Sequence, residues 1–533
     1  MHRSLLSVLA ALPLLTNAQQ VSWMESWPVA YTMNPAMASQ VLAQGPAGEL
    51  LSVRQSIGAF NYGSDLFGET RVERLDPATG AVLLSCTLGD SVMVDAGAVD
   101  AAGNMYVAGR FMGDLLCCNA EVLGNTSPAL WNVDLFLMAM AADGTVLWLR
   151  DLSVDHPDEG AVASLAIDPS GDLWYALSEF ELSHVVRVDA QGHDVDTRDI
   201  AGVRALGTID FDPWGGLYVA GAAEQNGLTF GGQHFAVDIG TGYKMFVLRF
   251  APDGTAGFAQ FASDVTFQRP TVVADDEGFA YLAGDLLDST SWGGIPLNGP
   301  DWVFAMFIAK LDSTGAFFWA HETDPPGGTI EGDMRRSSGP CIAVDGASNV
   351  YLMGDTRGLV HWPNGVTSGG GTPPQDGATI VKFAPDGQAL WAANTPDAMN
   401  SNSFTQTLTV DEMGIVHFAV HTSGAFTFGA ITVNTDGGQD AVVGELNSTS
   451  TGVAADRLRT EEWSAWPNPA NNALNVWCPA ASGAQAQVID SEGRLARTVR
   501  LLPGANTLEL TGLVRGLYLL RTAEGGMVRF VKE

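Results

Sequence analysis

The stretch Val272-Val-Ala-Asp275-Asp-Glu-Gly278-Phe-Ala-Tyr281-Leu-Ala-Gly284, followed by Phe307-Ile-Ala-Lys310-Leu-Asp-Ser-Thr-Gly315-Ala-Phe-Phe-Trp319, decides the fold. Each half is an apolar run, a tight polar turn closing on glycine, and a second apolar run. That is the signature of a short hairpin, because Asp bonds its own backbone in such a turn and Gly accepts a positive φ there. The first unit recurs as Asp100-Ala-Ala-Gly103 with Tyr106, Asp168-Pro-Ser-Gly171 with Tyr175, and Asp212-Pro-Trp-Gly215 with Tyr218. It recurs again at Asp345 with Tyr351, at Asp411-Glu-Met-Gly414 with His417 in the tyrosine position, and in weaker form at Gly45-Pro-Ala-Gly48 with Leu51. The second unit ends its first strand in Lys or Arg and carries Trp or Phe in its second, as in Val247-Leu-Arg-Phe250 with Phe258 and Ile380-Val-Lys-Phe383 with Trp391. Leu137 to Met140 with Trp148 belongs with these. Two copies, Val185-Val-Arg-Val188 with Gly192 and Val72-Glu-Arg-Leu75 with Gly80, lack the aromatic.

Seven first units alternate with seven second units, and the turn-closing positions 48, 103, 171, 215, 278, 348 and 414 are 44 to 70 residues apart. Modules of four short antiparallel strands, repeated seven times, predict an all-β chain whose main body is a seven-bladed β-propeller over residues 19–446. The surplus length lies mostly between second and third strands, as in Phe111 to Asn132 and Ala222 to Tyr243. The last second unit, Val442 to Leu446, has no following strand. Val21-Ser-Trp-Met-Glu-Ser-Trp27 has strand character and a tryptophan, and is expected to supply it, closing the ring and removing its open edges.

The blade pattern resembles the bacterial β-propeller repeat family whose copies read Gly-Gly-x-Asp-x-Phe-Val-Ala-Lys-Leu-Asp-x-x-Gly-x-x-x-Trp. Asp301 to Trp319, Gly377 to Trp391 and Asp134 to Trp148 match it best, and Gly437-Gly438-Gln439-Asp440 keeps its opening. A preceding Thr-Phe-Gly-Gly element is present as Thr229-Phe230-Gly231-Gly232, Ser291-Trp292-Gly293-Gly294 and Thr427-Phe428-Gly429. The resemblance covers about residues 40–446 and implies a fold more than a function.

Composition bounds the partners. Of 533 residues, 16% are charged, with 26 Lys plus Arg against 60 Asp plus Glu, for a net charge of −34. This argues against nucleic acid or an anionic membrane as partner, since each phosphate contact needs a cation. A divalent cation is compatible with this balance. The charge divides unevenly: residues 463–533 carry seven basic and five acidic side chains, leaving −36 on residues 1–462. Residues 1–18 read as a secretory signal, with His2 and Arg3, an apolar run from Leu5 to Leu15, and Thr16-Asn17-Ala18 before a cleavage expected ahead of Gln19. No other stretch approaches the ~20 apolar residues of a membrane span. Five cysteines are too few to build the fold on disulfides.

Beyond Asn447 the repeat stops. Residues 447–462 read as a linker, and residues 463–533 as a small sandwich of short strands separated by Gly turns. Pro467-Asn468-Pro469, Asp490-x-x-Gly493-Arg494, Leu513-x-x-Gly516-x-Tyr518 and a terminal strand ending in Lys532 occur here in order. Together they resemble the type A C-terminal sorting domain of the type IX secretion system of Bacteroidota. That resemblance implies export through the periplasm, recognition by the type IX machinery at the outer membrane, and either release or attachment to surface lipopolysaccharide.

The candidate chemistry is sparse. The Asp-x-x-Gly turns, with Asp210 beside Asp212 and with Asp275-Asp276-Glu277, are candidate calcium sites, against the structural reading in which Asp caps its own turn. Cys117-Cys118 is a candidate vicinal disulfide of the kind found in some quinone-dependent propeller dehydrogenases, whose repeats Leu75-Asp-Pro-Ala-Thr-Gly80 and Leu311-Asp-Ser-Thr-Gly315 resemble. The competing reading makes the pair a loop filler in the Phe-Gly position. His417 and His421 share a strand face and are candidate metal ligands, or packed rings. His-Glu-x-x-His, Gly-x-Ser-x-Gly and phosphate-loop motifs are absent from the sequence, so no catalytic or cofactor-binding residue is assigned.

The expectation is a secreted or surface-displayed module for binding, adhesion or structure, with a glycan or protein ligand on its long loops. Trp214 and Trp292 are candidate sugar contacts or packing residues. The competing class is a secreted enzyme acting on polysaccharide, or a quinone-dependent dehydrogenase, through the central channel. A cluster of carboxylates or His and Arg at one channel mouth would favour the enzyme, and an open, featureless mouth the binder.

Overall fold

The computed structural model describes residues 19–29, 40–46, 48–55, 69–89, 92–118, 122–124, 133–156, 160–178, 182–224, 226–237, 244–263, 269–286, 289–299, 305–323, 332–336, 339–369, 377–395, 402–447, 464–466, 470–478, 484–490, 494–502, 504–522 and 527–532. The chain divides into two compact units, Met1–Ser450 and Thr451–Glu533. None of the described helices is long and apolar enough to cross a membrane. The proposed signal at residues 1–18 and the linker core at 448–462 lie outside the described residues.

In the first unit the two hairpins of each repeat pair into one four-stranded antiparallel sheet. Blade 1 runs Val41–Gln44, Leu50–Gln55, Thr70–Leu75 and Val82–Gly89 from the inside outward, and blade 2 runs Val92–Val99, Met105–Met112, Val133–Met140 and Val146–Asp151. Blades 3, 4 and 5 repeat this order from Ala161–Ile167, Val203–Phe211 and Thr271–Ala274. The inner strand of blade 6 comes in two pieces, Gly332–Arg336 and Ile342–Val344. In blade 7, Asn402–Val410, Ile415–Phe428 and Ile431–Asn447 are joined by Gln20–Val29, which pairs antiparallel with the third strand from Gln20↔Asn447 to Val29↔Gln439. The N-terminal strand therefore closes the ring as expected, and the innermost strands contact one another in an unbroken circle from blade 1 through blade 7 and back.

Blades adhere through apolar faces, each hydrophobic cluster drawing on adjacent blades, and through side chains that reach the next blade's backbone. Tyr218, Tyr281 and Tyr351 donate to the carbonyls of Gly278, Ser348 and Gly414, the turn-closing residues of the following blade, at 3.3, 2.8 and 3.3 Å. On the outermost strands, Trp23, Trp148 and Trp319 donate Nε1 to Pro77, Ala190 and Pro385 in the next blade's outer turn, at 2.9, 3.1 and 3.1 Å. The same rings cover the glycine of that turn. A Cβ on Gly387, where φ is +86°, would meet the Trp319 ring at 2.8 Å. Gly387→Ala is accordingly expected to cost roughly 2–4 kcal/mol from strain and overpacking, read as a lower urea midpoint at unchanged m-value.

Among the described residues, several connections between second and third strands form hairpins of their own. Leu115–Leu116 packs on the outer strand of blade 1 and Val122–Leu123 on that of blade 2, so the hairpin straddles the seam. Thr290–Trp292 and Ile295–Leu297 do the same for blades 4 and 5, and Phe230 pairs with Ile200 on the edge of blade 3. These hairpins cover edges that would otherwise be open to pairing.

The second unit is a sandwich. Ser464–Trp466, Ala473–Cys478 and Gly504–Glu509 form one sheet, and Leu495–Leu501, Ala484–Asp490, Gly516–Thr522 and Met527–Lys532 the other. Leu474, Val476, Val488, Leu508, Leu520 and Phe530 are among the residues that fill the space between them.

Candidate functional site

The repeated Asp turns prove to be committed to the backbone. In blades 2 to 7 the Asp Oδ1 accepts the N–H groups two and four residues on, as at Asp275 from Glu277 and Phe279 at 3.1 and 2.8 Å, and at Asp411 from Met413 and Ile415 at 2.9 and 2.8 Å. The second oxygen faces the aromatic of the next strand and a cation on the third: Tyr351 and Lys382 donate to Asp345 Oδ2 at 2.9 and 3.1 Å, and Arg249 Nε donates to Asp212 Oδ2 at 3.0 Å. In blades 4, 5 and 6 the repeated Asp pairs with the Arg or Lys of the third strand, and in blades 5 and 6 the Tyr joins them, so that the carboxylates are already engaged, which favours the structural reading of these turns over calcium ligation.

Blade 3 corrects the sequence reading. Its Asp168 is met by Trp174 Nε1 at 2.9 Å, so Trp174 and not Tyr175 holds the tyrosine position. Side chains alternate along a strand, so the residue three beyond the turn glycine faces the Asp and its neighbour turns away. Tyr175 instead reaches Asp194, at 3.3 Å. Blade 7 reverses the charge: His417 and Glu445 replace the tyrosine and the cation, 3.6 Å apart and both buried.

His417 and His421 do not converge on a metal. Four residues of extended strand separate side chains by roughly 13 Å, and the two rings have different partners, Pro77 O at 3.1 Å for His417 and Gln40 Nε2 at 2.9 Å for His421. The vicinal disulfide is likewise replaced by another pairing. Cys118 is bonded to Cys86, 32 residues back on the outer strand of blade 1, with the Cα atoms 5.0 Å apart, while Cys117 is buried with its Sγ 3.4 Å from Met138 Sδ. The bridge ties the blade 2 hairpin to blade 1, and Cys117 fills the place that an aromatic takes in other blades.

One mouth of the central channel opens into a cavity of about 680 Å³ among the inner turns of blades 1, 4, 5, 6 and 7. Asp210, Asp275, Asp276, Asp345, Asp411 and Glu412 line it. Asp275, Asp345 and Asp411 are the turn caps just described. Asp210 Oδ2 accepts from Ala274 N of the next blade at 2.8 Å, and loss of solvent pushes its pKa up to about 6 against the pull of that bond. The mouth is acidic, with Asp276 and Glu412 outside these turn bonds.

Trp292 is fully buried against Phe307 and Phe317, whereas Trp214 is 63% exposed. Of the two candidate sugar contacts, only Trp214 presents a face to solvent.

In the C-terminal unit, Asp490 and Arg494 close their turn on each other, with Arg494 N and Nε donating to the two carboxylate oxygens at 2.9 Å each. Tyr518 stacks on Phe530 with centroids 5.6 Å apart and donates to Val514 O at 2.9 Å. Gly516 pairs with Lys532 across the last two strands, and Ala470 N donates to Val531 O at 2.8 Å. Pro467, Asn468, Pro469 and Gly493 lie outside the described residues.

No curated protein matches the chain. Among solved structures it is similar to a protein from Lactobacillus plantarum (14% identity, 69% of this chain and 89% of that one, TM-score 0.31). It is also similar to prolyl oligopeptidase B from Galerina marginata (9%, 95% and 56%, TM-score 0.35). A third likeness is to PorZ, a surface component of the type-IX secretion system of Porphyromonas gingivalis (10%, 96% and 100%, TM-score 0.14). At such TM-scores none of the three bears on fold or function. The C-terminal unit is different, because residues 464–532 match the secretion system C-terminal sorting domain family. The chain is therefore a seven-bladed propeller that carries, in its last 70 or so residues, the sorting domain of proteins exported across the outer membrane.

Proposed function

We propose that this protein is a secreted or outer-membrane-attached propeller that binds or adheres to a surface partner without chemistry of its own, delivered by the type IX machinery through its C-terminal unit. The observation that carries the delivery half is the sorting-domain match over residues 464–532, on a sandwich whose Asp490–Arg494 turn and Tyr518–Phe530 stack hold the motif residues in place. The binding half is supported by the use of the repeated polar residues: the Asp of blades 2 to 7 caps its own turn, and in blades 4 to 6 it also pairs with the Lys or Arg of the third strand. The blade repeat's resemblance to bacterial β-propeller repeat proteins agrees with this. Residues 1–18 serve as the signal for crossing the inner membrane.

The carboxylates at the channel mouth are the feature expected of the competing class and support a second reading, a polysaccharide-cleaving enzyme using Asp276 or Glu412; the binding reading is preferred because Asp210, Asp275, Asp345 and Asp411 are engaged by backbone N–H groups. Incubation of the purified chain with polysaccharides separates the two, since reproducible cleavage would remove the binding reading. For delivery, a chain ending at Glu462 is expected to be retained in the periplasm while the full chain reaches the outer surface or medium, as read by fractionation and immunoblotting. Export of the shortened chain past the outer membrane would refute the sorting role.

A further inference from the structure

The seam between blades 3 and 4 departs from the repeat. Elsewhere the outermost strand places an aromatic or apolar side chain opposite the Lys or Arg position: Lys310↔Trp319, Lys382↔Trp391, Arg249↔Phe258. That side chain plugs the crevice and covers the next blade's turn glycine, with a Cβ on Gly192 lying 2.7 Å from Trp148 and one on Gly315 lying 2.8 Å from Phe258. In blade 3 the register is Arg187↔Asp196, so a carboxylate stands where the plug belongs. Around Gly254, the corresponding turn glycine of blade 4, a Cβ would find only Arg198 Nε, at 3.8 Å. The crevice stays open as two adjoining clefts of about 460 Å³ each, both lined by Asp196 and Arg198.

Arg198 is 9% exposed, sandwiched between the rings of Trp174 and Phe250 at 4.7 and 5.6 Å, and it donates Nη2 to Pro252 O at 3.3 Å. Its Nε and Nη1 make no hydrogen bond among the described residues; the Asp196 carboxylate forms a loose ion pair with it, 3.7 Å from Nε and beyond hydrogen-bond reach. Buried guanidinium N–H groups without acceptors are costly, and a site that holds them in place is built to receive an acceptor. At the rim stands Trp214, 63% exposed, its other side resting where a Cβ on Gly278 would otherwise sit.

We infer that this seam is a saccharide-binding site for a neutral sugar, whose hydroxyls accept from Arg198 and donate to Asp196 while the ring lies on Trp214. The inference rests on the binding reading above and names its ligand class. A hydroxyl both accepts and donates, so it can take the guanidinium N–H groups left without an acceptor and give its own proton to the neighbouring carboxylate. An anionic ligand meets Asp196 and Asp253 at the cleft and the net charge of −34 beyond it. An exposed indole face suits the C–H face of a sugar ring, and the volume lies in the range of small-ligand sites.

The test is calorimetry and array binding of the full chain with neutral oligosaccharides and, in parallel, uronate or sulfated ones. Wild type is expected to bind a neutral member, and Arg198→Gln and Trp214→Ala each to weaken it by about tenfold or more. Asp196→Trp, which restores the plug, is expected to abolish binding while leaving the melting temperature equal or higher, so a folding defect in Arg198→Gln does not obscure the outcome. Binding only to acidic glycans overturns the ligand class. Neutral-glycan binding that survives Asp196→Trp overturns the site and leaves the binding reading intact, whereas cleavage of the glycan overturns that reading instead. Absence of binding to every glycan overturns the inference.

Discussion

A chain lacking residues 19–29 is expected to lose cooperative unfolding and to elute as soluble aggregates. Gln20–Val29 is the outer strand of blade 7, and its removal exposes the edge of Ile431–Asn447 along the pairing that now runs from Gln20↔Asn447 to Val29↔Gln439. Unpaired edges of this length template intermolecular pairing. The strand also carries Trp23 and Trp27, 8% and 5% exposed. Trp23 plugs the seam to blade 1, donating to Pro77 O at 2.9 Å, and Arg54 of blade 1 lies over the Trp27 ring at 4.9 Å. Blade 7 thus meets blade 1 partly through a segment from the other end of the propeller, and without it the two blades would meet mainly through their inner strands. The milder change Trp23→Ala is expected to cost about 3–5 kcal/mol. A synthetic peptide of residues 19–29 added in excess should restore a cooperative melt to the shortened chain. A deletion variant that melts within about 2 °C of the parent would show that the ring does not depend on this closure.

The ring was legible in sequence because its determinants are local. Asp and Gly at fixed offsets specify each turn, and alternation of apolar residues specifies the strands beside it. The closing strand was legible by elimination, since Val442 to Leu446 had no following partner. What failed to show were relations between blades. Cys86 lies on the outer strand of blade 1 and Cys118 in a turn of blade 2, and nothing in a spacing of 32 residues marks them as neighbours, whereas the adjacent Cys117 invites pairing. The Tyr175 assignment slipped by one place because Trp174 and Tyr175 are both aromatic, and only the carboxylate of Asp168 distinguishes them. The missing aromatic in blade 3 was visible, but its meaning was not. That needed the other seams, where Trp148, Phe258 and Trp319 fill the space that Arg198 and Asp196 leave open. Trp214 and Trp292 were indistinguishable in sequence because one sits in a turn and the other under a hairpin, a difference that burial alone reveals.

The blade networks make a second large effect expected, at Asp345. Its carboxylate accepts from Ala347 N and Asn349 N at 3.0 and 2.9 Å, from Tyr351 at 2.9 Å and from Lys382 at 3.1 Å, with 3% of its side chain exposed. Asp345→Ala leaves the Lys382 cation buried without its counter-charge and the turn without its cap, at a cost of about 3–5 kcal/mol. Removing the stranded cation as well should recover part of this, so the double variant with Lys382→Met is expected to be less destabilised than the two single effects summed. Burial works to raise the Asp345 pKa, but the bonds from Asn349 and the Lys382 cation outweigh it and hold the group below the ordinary carboxylate range. The folded state therefore binds this proton more weakly than the unfolded chain. The stabilisation is complete above the unfolded pKa of about 4 and is lost as pH falls through the lower folded value. The gap in melting temperature between the parent and Asp345→Ala should be constant near neutrality and narrow below about pH 4. A gap that widens on acidification, or a cost under about 1 kcal/mol at neutral pH, would mean that this carboxylate does not anchor the blade.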